Sequence, residues 1–145
     1  MFKFIGVPLF AFALTAAIPV QAATADTGKA YGTWTMGKVT VKLSDCGGKL
    51  CGNIVALKEP ISKIDGKPKV DRENPDASKR KRQLIGLPIL IGMRPSGENK
   101  WKGSIYNPDD GKTYSATVSL DGNRMKVRGC VAAILCKSNN FVRVN

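Results

Sequence analysis

The side chains best equipped for chemistry here are four cysteines, the Asp109-Asp110 pair, the carboxylates Glu59, Asp65 and Asp71, and the basic run Lys79-Arg80-Lys81-Arg82. Histidine is absent from all 145 residues. That removes the usual general base, the Ser-His and Cys-His nucleophile pairs and the His-based zinc sites. Asp109 and Asp110 lie between Pro108 and Gly111, where aspartates ordinarily form turns. No motif surrounds Glu59, Asp65 or Asp71. No catalytic constellation emerges, and we expect no enzyme activity, no cofactor and no metal.

The cysteines read as structural. Cys46, Cys51, Cys130 and Cys136 form an even set, which in an oxidising compartment favours disulfides. Three pairings are open to four cysteines, and the spacing favours the local one, Cys46–Cys51 with Cys130–Cys136. Neither the redox-active nor the zinc-binding C-x-x-C spacing occurs.

The N-terminus supplies the compartment. Met1-Phe2-Lys3 is a positive start, and the uncharged apolar stretch from Phe4 to Ile18 has the length of a secretory core segment. Val20-Gln21-Ala22 offers small residues for cleavage after Ala22, with a second site after Ala25. The run falls short of the roughly 20 residues a bilayer span requires. We therefore expect a signal peptide over 1–22 (alternative end 25), a periplasmic or secreted location, and no integral membrane segment. Loss of Lys3 leaves 22 basic against 11 acidic side chains, a net +11. Such charge usually suits nucleic acid, but export excludes that partner and leaves anionic envelope components.

The elements that must position these groups are strands. Val39, Val41 and Leu43 alternate with polar residues, as do Tyr114, Ala116, Val118 and Leu120, then Trp101, Gly103 and Ile105, then Met125 and Val127. Turn signals separate them at Cys46-Gly47-Gly48, Asn107-Pro108-Asp109-Asp110-Gly111 and Asp121-Gly122-Asn123. Further strands are expected over Tyr31–Met36, Leu50–Lys58, Pro88–Met93 and Asn140–Val144. About eight short strands joined by tight turns define an all-β antiparallel barrel or sandwich. Trp101 and Ile105 share an inward face with Tyr114, while Tyr106 takes the opposite face and is expected to bind backbone through its hydroxyl. Between Glu59 and Leu87 the chain makes a long polar excursion, in which Asn74 as N-cap and Pro75 predict one short helix to Arg82. Asp71 or Asp76 is expected to pair with Arg80 or Arg82 and pin the excursion to the sheet.

Five segments occur in order: Gly32-Thr33-Trp34; Asp71-Arg72-Glu73-Asn74-Pro75; Arg80-Lys81-Arg82-Gln83-Leu84-Ile85-Gly86; Trp101-Lys102-Gly103-Ser104-Ile105-Tyr106-Asn107-Pro108-Asp109-Asp110-Gly111-Lys112-Thr113-Tyr114; and Val127-Arg128-Gly129. Together the chain resembles the DUF2147 family, small exported bacterial proteins of unknown function with a lipocalin-like barrel. The resemblance covers about Tyr31 to Val144, and a single domain over 31–145 follows. It departs after Gly129, where Cys130, Ala132, Cys136 and Phe141 replace the family's aromatic, glycine turn and second tryptophan. The resemblance implies a lipocalin-like barrel whose Trp34 packs beneath Arg143 at a closed end, with Asp71 and Asn74 in structural motifs. Our leading expectation is a small apolar or amphipathic ligand with an anionic headgroup, contacted by Trp101, Ile105, Tyr114, Arg80, Arg82 and Arg128. The competing expectation is a filled barrel that docks on an envelope component through its basic surface. We expect a monomer or weak dimer.

Overall fold

The computed structural model describes residues 16–19 and 26–145. The predicted signal peptide, 1–22 or to 25, lies outside the described residues except for 16–19. Eight strands follow one another: β1 (Gly32–Thr35), β2 (Val39–Asp45), β3 (Leu50–Leu57), β4 (Pro88–Gly97), β5 (Lys100–Asn107), β6 (Lys112–Asp121), β7 (Arg124–Val131) and β8 (Leu135–Arg143). Each pairs antiparallel with the next, and β1 returns to β8 through Trp34↔Arg143 and Thr35↔Val142, so the sheet closes into a barrel. Closure engages only the end of β8, and residues 135–141 have no register partner in β1.

Alternation decides what lies inside. In β2 Val41 and Leu43 are buried while Lys42 and Ser44 are exposed; in β7 Met125 and Val127 are buried between Arg124, Lys126 and Arg128. The inward residues meet in one core containing Trp34, Leu50, Ile54, Leu90, Met93, Trp101 and Val118. Fully burying each such aliphatic side chain contributes about 1.5–3 kcal/mol.

The two ends differ. At one, the β2–β3, β4–β5 and β6–β7 hairpins surround a 3-10 turn, Thr27–Ala30, that caps the barrel. At the other, the β1–β2, β5–β6 and β7–β8 turns and the excursion between β3 and β4 leave the barrel open. One disulfide clamps a hairpin at each end: Cys46–Cys51 at the capped end, Cys130–Cys136 at the open one. The local pairing is the one observed.

Three local expectations need correction. The helix expected over Pro75–Arg82 is only a 3-10 turn, Ala77–Lys79, capped by Asp76 rather than Asn74. Asn74 is diverted: its Oδ1 accepts from the Asp76 N–H at 2.9 Å, and its amide turns toward Asp71. The Arg82 carbonyl accepts from the Asp71 N–H at 2.9 Å, and Val70 bridges Gln83, which ends any helix there. Strand β8 begins at Leu135 rather than Asn140, because its pairing with β7 runs back to Val131↔Leu135 across the Cys130–Cys136 bond. Strand β4 continues past Met93 to Gly97, with its register broken between Ile91 and Arg94.

Candidate functional site

The densest polar cluster forms where the excursion crosses β5. Tyr106 points outward from the barrel, as its place opposite Ile105 requires, yet it is buried because the excursion covers it. Its hydroxyl donates to Asp71 Oδ1 at 2.6 Å, not to backbone as the sequence suggested. Asp71 has no solvent exposure. Its Oδ2 accepts from Asn74 Nδ2 at 2.7 Å and from Arg82, through Nε at 3.1 Å and Nη2 at 3.0 Å. Arg80 completes the tie, donating through Nε to the Asn74 carbonyl at 2.7 Å.

Burial pushes the Asp71 carboxyl upward, but the donors Tyr106, Asn74 and Arg82 and the Arg82 charge outweigh it and hold it below its ordinary value. Burial first, then the Asp71 carboxylate, pushes the Tyr106 phenol up to about 12. A carboxylate saturated by three donors is a poor base and carries no accessible lone pair for a substrate. This cluster is a latch.

The capped end is closed by a second set. The Arg143 guanidinium stacks 4.2 Å from the centre of the Trp34 ring and donates to the carbonyls of Tyr31 at 2.7 Å and Lys29 at 2.5 Å. Trp34 Nε1 donates to the Ala30 carbonyl at 3.0 Å, and Trp101 Nε1 to Thr27 Oγ1 at 3.2 Å. Both indoles thereby hold the 3-10 turn across the barrel's base.

The open end is looser. Here the inward residues Ile105, Tyr114 and Gly129 are only half-buried. Pairing of β6 with β7 stops at Ser115↔Cys130, and the strands part to leave an open concavity of about 510 Å³ lined by Lys112–Ser115 and Cys130–Ala132. Tyr114 donates to Asp110, which lifts the phenol and depresses the carboxyl. Lys137 pairs in register with Gly129 and so shares its inward face at the rim.

The expected ligand residues are therefore not gathered in one place. Ile105 and Tyr114 meet at the open end, Trp101 lies at the capped end, Arg80 and Arg82 belong to the latch, and exposed Arg128 faces outward from β7. Lys112, Lys137 and Gly129 were missed at this end; the register of the hairpins, which no single strand displays, sets Gly129 and Lys137 level with Ala116, while Lys112 lines the concavity four residues further along β6. Among the described residues no group of three or more cysteines and carboxylates is placed to hold a metal. No helix among them is long and apolar enough to cross a membrane.

An eight-stranded antiparallel meander, capped by an N-terminal 3-10 turn beneath a Trp–Arg stack, defines a lipocalin-like barrel. The solved structure of protein HP1028 from Helicobacter pylori, described as belonging to the lipocalin family, has the same fold: TM-score 0.67 over 84% of this chain and 85% of that one, at 22% identity. The family model for DUF2147, uncharacterized proteins conserved in bacteria, matches residues 29–143, and the chain belongs to that family. No curated protein matches it.

Proposed function

We propose that this is an exported, non-enzymatic binding protein that takes a small amphipathic ligand at the open end of its barrel. One observation carries the reading. The capped end and middle are filled by fully buried side chains, including Trp34, Trp101, Leu90 and Met93, whereas Ile105, Tyr114 and Gly129 stay half-buried beside an open concavity. A ligand's apolar part would cover these three residues, and its anionic head would meet Lys112 and Lys137 at the rim. The packed lower barrel limits the apolar part to a short one. Export is supported by the pattern of residues 1–22 and by the two disulfides. The non-enzymatic character is supported by the absence of histidine and by carboxylates already engaged, Asp71 in the latch and Asp110 with Tyr114.

Native mass spectrometry of protein purified from an exporting host should show a co-purified mass. A fluorescent fatty acid should bind and be displaced by unlabelled amphiphile. Gly129→Leu should weaken it by about tenfold or more, because a Cβ there already meets Ile105 Cγ2 at 3.3 Å and a longer side chain would enter the mouth. If repeated preparations and titrations show no ligand, this reading is abandoned for the second, a filled barrel acting through its basic surface. The extent of the buried interior favours that alternative.

A further inference from the structure

The β7–β8 hairpin ends in residues that a solvent-facing turn rarely carries. Its tip reads Val131-Ala132-Ala133-Ile134-Leu135, with Ile134 87%, Leu135 73% and Val131 49% exposed. Ala132 and Ala133 both hold the left-handed conformation, at φ 50° and 59°, which Asn and Gly adopt with less strain. The Cys130–Cys136 bond joins the register pair directly below, so the tip is held out on a stiff arm. Folding buries none of its three large side chains fully, and an exposed apolar patch of this kind marks an interaction surface.

The arm's own strands carry charge of one sign. From Gly122 to Asn145 the chain has five basic residues and no Asp or Glu. Arg143 is spent on Trp34. Arg124, Lys126, Arg128 and Lys137 form no ion pair among the described residues. Arg128 and Lys137 lie within a few residues of the tip, one facing outward and the other toward the mouth. At this end of the barrel the neighbouring β5–β6 turn carries Asp109 and Asp110, and Asp110 is engaged by Tyr114.

We propose that this hairpin is a membrane-docking arm: Val131, Ile134 and Leu135 enter the headgroup region of an anionic phospholipid bilayer while Arg128 and Lys137 meet its phosphates. An apolar tip flanked on its own strands by Arg128 and Lys137 is complementary to that surface, where burial and charge attraction add. A second copy of the chain fits poorly, since its own hairpin carries the same unrelieved positive charge. Apart from Lys137 and Val131, which the mouth shares, the proposal uses no residue of the ligand site.

The test is co-sedimentation of the disulfide-intact protein, purified from an exporting host, with phosphatidylcholine vesicles with and without phosphatidylglycerol. Binding should require phosphatidylglycerol and weaken as salt rises. The double variant Ile134→Ser/Leu135→Ser should reduce it by about tenfold with an unchanged melting curve, since neither side chain supports the core. Arg128→Glu/Lys137→Glu should reduce it comparably. Gly129→Leu, which obstructs the mouth, should bind vesicles like the parent protein, so the two readings fail separately. Equal binding to both vesicle types, no binding at all, or full binding by the serine variant would overturn the proposal. So would a dimer in size-exclusion chromatography that the serine substitutions dissolve.

Discussion

Asp71 is a full negative charge without solvent contact, and its neighbours explain why the fold tolerates it. Tyr106, Asn74 and Arg82 supply four donor contacts at 2.6–3.1 Å. Losing one charge-assisted donor costs about 1.5–3 kcal/mol, so Tyr106→Phe should lower the free energy of urea unfolding by that amount. Asp71→Asn should cost about 3 kcal/mol, because it removes the charge that three donors meet and turns an amide donor toward Asn74 or Tyr106. Equal stability of Asp71→Asn and parent would refute the latch. The pH dependence follows from the two shifts. Asp71 is depressed in the fold, so its contribution is complete above its unfolded value of about 4 and is lost as pH falls through the folded one. The stability gap between parent and Asp71→Asn should therefore shrink on acidification below about pH 4. Tyr106 is raised to about 12. Its contribution is complete below its unfolded value of about 10 and fades as pH climbs from there toward 12, so the alkaline loss of stability should be smaller in Tyr106→Phe than in the parent.

At the scale of elements, the strands were legible wherever one face met water and the other met the core. Val39–Leu43 and Tyr114–Leu120 alternate because each inward side chain is buried while its neighbours are not. Leu135–Ser138 has no such alternation, since at the mouth neither face is covered, and so the first half of β8 was missed. The excursion was legible in its charges but not in its shape. Asp71 or Asp76 was expected to join Arg80 or Arg82, and the pair formed is Asp71 with Arg82; nothing near them in sequence points to Tyr106, which lies 35 residues from Asp71. Gly111 records that long-range packing. At φ +70°, a Cβ there would overlap the Glu73 carbonyl oxygen. Gly111→Ala should therefore destabilise by roughly 3 kcal/mol, combining left-handed strain with displacement of the excursion. Limited proteolysis should also cut within 59–87 sooner; an unchanged digestion pattern would mean that the excursion does not depend on this contact. The disulfides are testable at the same scale. Intact-mass analysis after alkylation should find no free thiol in protein from an exporting host, and peptide mapping should link Cys46 to Cys51. A bond closing so short a loop as Cys130–Cys136 contributes about 2 kcal/mol, so Cys130→Ser/Cys136→Ser should fold and leave the arm's tip freer.

For the whole molecule, closure of the barrel is the property on which both ends depend, and its seam is its thinnest part. β1 and β8 share two register pairs, whereas β5 and β6 share eight. The backbone bonds Thr33 N–H to the Asn145 carbonyl, at 3.1 Å, and Val144 N–H to the Thr33 carbonyl, at 2.8 Å, extend it slightly. What compensates is Arg143, which joins the last strand to the Trp34 ring of the first and to the carbonyls of Lys29 and Tyr31 in the cap. The stack alone contributes about 0.5–2 kcal/mol, and the two charged hydrogen bonds add about 1.5–3 kcal/mol each before the cost of ordering the side chain. Arg143→Ala should accordingly lower the melting temperature by roughly 10 °C. Local opening follows the least-supported pairings, so hydrogen exchange in the variant should accelerate first at amides of β1 and β8 and last across β5–β6. The mouth lies at the opposite end, and affinity for an amphiphile there should stay within about twofold, since well-separated sites act nearly additively. An unaltered melting curve, or acceleration spread evenly around the barrel, would mean that the sheet holds its closure without this clasp.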